Sequence, residues 1–105
     1  MAKKEYFVYK QGSVNGQILM NAHVFSSIAY SILTSIDGIV VDNQKDVECT
    51  INDNDVSFEV KLNVKYGKSI NRLTEDAQKK INEAIQQYTG VQVSNINIDV
   101  NNIEF

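Results

Sequence analysis

The sequence predicts an α+β domain, a two-layer split β-α-β sandwich of order β-α-β-β-α-β with both helices on one face of a mostly antiparallel sheet. Three observations lead there. From Val56 to Tyr66 apolar and polar residues alternate strictly, which is the period of a strand with one buried face. Two stretches, 21–36 and 69–89, repeat apolar residues at the three- and four-residue spacing of a helix buried along one side. Glycine and Asx residues separate these segments, and the 105 residues contain no proline, no internal repeat and no charge block. One core is all that such a length supports. Residues 16–105 read as the single domain and residues 1–15 as an N-terminal arm, partly flexible or serving as an extra edge strand.

Gly16 opens a short extended piece through Met20, and Asn21 is suited to cap a helix. On that first helix Phe25, Ile28, Ala29, Ile32, Leu33 and Ile36 share a face, and Gly38 ends it. Ile39-Val40-Val41 restarts extended structure, and Val47, Cys49 and Ile51 alternate with Glu48 and Thr50. Asn52-Asp53-Asn54-Asp55 is a hairpin turn, because short Asx side chains bond the nearby backbone and tolerate left-handed conformations. The alternating strand follows. Gly67 closes it, and Ser69 or Asn71 caps a second helix with an apolar stripe of Ile70, Leu73, Ala77, Ile81, Ala84 and Tyr88, stopped by Gly90. Its outer face is charged, with i,i+4 pairs Glu75 to Lys79 and Asp76 to Lys80. In the last strand Val91 and Val93 are out of phase with Ile96, Ile98 and Val100, which predicts a bulge near Ser94-Asn95.

Composition narrows the function. Ten Lys plus Arg against thirteen Asp plus Glu give a net charge of −3, which argues against a phosphate backbone as partner. One cysteine and one histidine cannot make a four-ligand zinc site or a disulfide framework. No metal, cofactor or catalytic residue is expected. The four-residue apolar run before Lys10 is too short for a signal peptide, and no run of about twenty apolar residues offers a membrane span. The expected location is cytoplasmic, with membrane association only through a partner.

Each chemically suggestive residue has a plainer reading. His23 has no acidic or thiol partner within a helical turn and is expected at the surface. Cys49 shares the inward phase of Val47 and Ile51 and is expected to be a small buried apolar residue. Asp53-Asn54-Asp55 imitates the start of a calcium loop, but Phe58 stands where that loop needs glycine and Val64 where it needs glutamate. The open sheet face, with Ser57, Glu59, Lys61, Asn63 and Lys65, has no aromatic residue on this strand for stacking a base.

Two segments are expected contact surfaces instead. His23, Ser27, Tyr30 and Thr34 form an uncharged outer line on the first helix with a tyrosine at its centre, the composition that interface cores favour. Tyr6, Phe7, Val8 and Tyr9 hold three of the nine aromatics in four residues, so Tyr6, Phe7 and Tyr9 are either packed on the domain or part of a partner-binding arm.

Four segments carry a resemblance: Gly16-Gln17-Ile18; Ile36-Asp37-Gly38-Ile39; Val64-Lys65-Tyr66-Gly67-Lys68-Ser69-Ile70; and Thr89-Gly90-Val91-Gln92-Val93 followed by Ile96-Asn97-Ile98-Asp99-Val100. Together they resemble the alkaline shock protein family, envelope and general stress proteins of Gram-positive and related bacteria. The resemblance implies a non-enzymatic protein that self-associates, is held at the membrane by a separate anchored partner and supports envelope homeostasis. It carries over no catalytic residue. The competing expectation is a small regulatory module of the same fold that binds nucleic acid or a ligand.

Overall fold

The structure is a computed structural model and describes residues 6–9 and 18–105. Residues 1–5 and 10–17, which include Gly16 and most of the expected arm, lie outside the described residues. In chain order the elements are β1 (Tyr6–Tyr9), β2 (Ile18–Asn21), α1 (Ala22–Thr34), β3 (Ile39–Val40), a single 3-10 turn (Gln44–Asp46), β4 (Val47–Asn52), β5 (Asp55–Lys65), α2 (Ile70–Thr89) and β6 (Val93–Glu104). The class is α+β, and three of the four strand pairings are antiparallel.

β5 is the axis of the larger sheet. Along one side it pairs with β6, parallel, from Val56↔Val93 to Lys65↔Glu104. Along the other it pairs with β4 over Asp55 to Val60 and with β3 at Asn63 and Val64, both antiparallel. A parallel pair needs a crossover, and α2 is that crossover. The ladder slips at two places, where Ser94 and Asn101 are skipped; the first is the bulge the sequence predicts, the second is an addition. The first strand departs from expectation. β2 does not join this sheet but pairs with β1 in a two-stranded sheet of its own, Phe7 opposite Met20 and Tyr9 opposite Ile18.

The core forms where three apolar faces meet. Val56, Phe58, Val60, Leu62 and Val64 of β5, Phe25, Ala29 and Leu33 of α1, and Ala77, Ile81 and Ile85 of α2 belong to one buried cluster. Glu59, Lys61 and Lys65 on the alternate phase of β5 are exposed. Each of the large side chains is worth about 1.5–3 kcal/mol in burial. Both helices bury slightly different lines from those expected. On α1, Phe25, Ser26, Ala29 and Leu33 are buried, while Ile28 and Ile32 are half-buried. On α2, Ile85 completes the stripe and Tyr88 is 70% exposed, because Tyr88 shares the face of Ile81 but lies in the last turn of the helix, beyond the end of the core. Tyr66 also differs: β5 ends at Lys65, and Tyr66 lies 70% exposed with its ring 4.9 Å from that of Phe105.

Candidate functional site

Of the residues that carry the resemblance, Asp37-Gly38, Gly67-Lys68 and Thr89-Gly90-Val91 lie at joints between elements. After α1 the chain turns at Gly38 with φ of +97°, and the N–H of Lys65 donates to the carbonyl of Gly38 at 2.9 Å. Lys68, in the turn before α2, reaches Asp37 Oδ2 at 3.1 Å. A side chain at Gly38 would place its Cβ 3.1 Å from both Leu73 Cδ1 and Lys68 Cγ. Glycine is thus required twice over, by backbone conformation and by lack of room. The hydrogen bond from Lys68, then the charges of Lys68 and Lys65, hold the Asp37 carboxyl below the usual carboxylate range. Asp37-Gly38 and Gly67-Lys68-Ser69 therefore form one clasp.

The Thr89-Gly90-Val91 segment is a second joint. Gly90 ends α2 in the left-handed region, φ +74°, and donates its N–H to Gln86 O at 2.8 Å. Thr89 Oγ1 donates to Ile85 O and accepts from the Val91 N–H at 3.2 Å, which leads the chain into β6. The carbonyl of Thr89 accepts from the Tyr9 hydroxyl at 2.8 Å. A third joint is the β4-β5 turn, where Asp53 and Asn54 both have positive φ, as a tight hairpin requires. The Asn54 side chain accepts from Val8 N–H and donates to Val8 O, each at 3.0 Å. The would-be calcium residues are spent on this turn.

These bonds place the N-terminal aromatics. Phe7 packs edge-on against Tyr9 and against Phe25 of α1, with centroids 5.0 and 6.3 Å apart. Of the three expected contact residues only Tyr6 is exposed, while Phe7 and Tyr9 are half-buried in the domain. The α1 line is also divided. His23 and Thr34 are exposed, but Ser27 is half-buried and accepts from Gln44 Nε2 at 3.0 Å, and Tyr30 is half-buried against the core. Thr34 turns its hydroxyl back to Ser31 O. Cys49 is half-buried against the core and lines, with His23, Ser26 and Glu48, one groove between α1 and β4 of about 580 Å³. Among the described residues no three His, Cys, Asp or Glu side chains come together as a metal site.

An uncharged surface does exist, one step around α1 from the expected line. Ser27, Ile28, Ser31 and Ile32 with Tyr88 of α2 line a shallow groove of about 420 Å³. Ile28, Ile32 and Tyr88 were absent from the expected contact set because their spacing assigned them to the core. No signal in the sequence separates them, because helical spacing marks an apolar face without showing how far the neighbouring helix covers it.

The fold is a small α+β domain in which Asp37, Gly38, Lys68 and Gly90 stand where one element hands over to the next. The sequence matches the alkaline shock protein family, of cell envelope-related function, over residues 10–105, and the chain belongs to that family. No curated protein and no solved structure matches it. No helix among the described residues is long and apolar enough to cross a membrane.

Proposed function

We propose that this chain is a non-catalytic scaffold of the cell envelope, acting by self-association and by docking to a membrane-anchored partner. The observation that carries the reading is the uncharged groove of Ile28, Ile32 and Tyr88, flanked by Ser27 and Ser31. Partly exposed aliphatic side chains beside an exposed tyrosine, with no full charge among the lining residues, are what the centre of a protein interface requires. The family's envelope-related role supports a site of action at the membrane. The clasp residues add support, since Asp37, Gly38, Lys68 and Thr89 are engaged in holding the domain together.

The test is fractionation of the tagged chain in its native cell. Wild type sediments with membranes, and Ser31→Lys, which inserts a charge into the groove from an exposed position, moves to the soluble fraction while staying folded by circular dichroism. Equal fractionation of both proteins refutes the groove as the docking surface.

A further inference from the structure

The outer edge of β6 pairs with no other strand among the described residues. β6 is twelve residues long, and among the described residues β5 is its only strand partner. Gln78 Nε2 of α2 donates to the carbonyl of Ile96 at 3.0 Å, from the side away from β5. In a strand the N–H and C=O of one residue point to the same edge, so Ile96, Ile98 and Val100 present theirs outward. The bond from Tyr66 N–H to Glu104 O at 2.7 Å agrees, because the one-residue bulge at Asn101 reverses the parity beyond it. Exposed edges are normally blunted by lysine, proline or inward-pointing charge. β6 has no lysine or proline and its charged residues are Asp99 and Glu104 alone, while its two bulges, at Ser94 and Asn101, lie at either end of a regular run from Asn95 to Val100.

We infer that this edge pairs with the same edge of a second copy, antiparallel about Ile98. The inference rests on the self-association in the proposed function and assigns it a surface and a register. What selects a second copy as occupant is the complementarity of β6 with itself. A two-fold axis at Ile98 sets Ile96 opposite Val100 and Asn97 opposite Asp99, so apolar meets apolar, an amide donor meets a carboxylate, and no two carboxylates stand opposed. Ile98, Ile96 and Val100 then form hydrogen-bonded pairs with Ile98, Val100 and Ile96 of the second copy. The groove of about 470 Å³ between α2 and Val93 to Ile96 leaves space beside the edge, and Gln78 is the group that must release Ile96 O.

The register makes a sharp test in a Cys49→Ser background. Asn97→Cys and Asp99→Cys chains, mixed and mildly oxidised, cross-link to each other, whereas each alone gives little covalent dimer, because only unlike positions face one another. Asn97→Asp opposes two carboxylates across each of two symmetric pairs and weakens association about tenfold. Exchanging the two side chains, Asn97→Asp with Asp99→Asn, restores it. Circular dichroism controls for the loss of the Asn97 to Glu59 bond within each copy. Association without register-specific cross-linking overturns the β6 assignment and leaves the scaffold reading standing, while a strict monomer overturns both.

Discussion

Replacing Gly38 with alanine tests whether the Asp-Gly motif is a mechanical clasp. Two costs add at this position. A left-handed backbone costs an L-residue about 1–2 kcal/mol, and Gly38 has φ of +97°. The new Cβ would also stand 3.1 Å from Leu73 Cδ1 and from Lys68 Cγ. Lys68 can swing aside at the expense of its exposed pair with Asp37, but Leu73 packs against the core and cannot move alone. Overpacking of this kind costs about 1–3 kcal/mol. Gly67 separates the two terms, since its φ is +90° but nothing lies within 4 Å of a Cβ built there. Gly38→Ala is expected to cost roughly 2–5 kcal/mol, and Gly67→Ala only the backbone part of about 1–2 kcal/mol. At roughly 4–8 °C per kcal/mol for a domain near this size, the two variants separate clearly in thermal melts. Urea titrations followed by circular dichroism give the free energies. Equal losses in the two variants, or a neutral Gly38→Ala, would refute the steric half of the reasoning.

The other predictions concern the core, the N-terminal strand and pH. Leu62→Ala or Ile81→Ala, both in the buried cluster, should cost about 2–5 kcal/mol in chemical denaturation, and Lys61→Ala on the open face should be near neutral; equal losses would mean that the phase of β5 is misassigned. Tyr9→Phe removes the hydroxyl bond to Thr89 O and should lower stability by about 1 kcal/mol, with faster amide exchange at β1 as a local readout. Asp37 has its pKa lowered in the folded protein, first by the hydrogen bond from Lys68. Its contribution is therefore present above the usual carboxylate range and lost as pH falls through the folded value. The stability gap between wild type and Asp37→Asn at low salt should shrink on acidification, and a gap that widens would contradict the sign.

Much of this architecture was legible because it rests on local physics. The alternation of Val56 to Val64 gave the central strand, Asn21 gave the start of α1 through its bond to the His23 N–H, and Gly90 gave the end of α2. The bulge at Ser94 was visible as a break in phase. Pairing was harder to read. Nothing in β6 itself says that it lies parallel to β5, since alternation reports which face is buried and not which neighbour bonds the edge. The separate β1-β2 sheet depends on Asn54 and Thr89, distant residues that hold β1 at its middle and its end. Tyr88 and Tyr66 fitted apolar periods yet lie at the ends of their elements, where the period outruns the core. The contact line on α1 was displaced for the same reason, because helical spacing alone does not show where the neighbouring helix stops covering it.

The central claim, that the protein works by assembling, is tested most directly by its mass in solution. Light scattering on the purified chain, across a range of concentrations and without any partner, should give a weight-average mass that rises above the 11.8 kDa of one chain. The rise should be reduced in Asn97→Asp. A mass that stays at 11.8 kDa at every concentration, with the protein folded, would contradict the account.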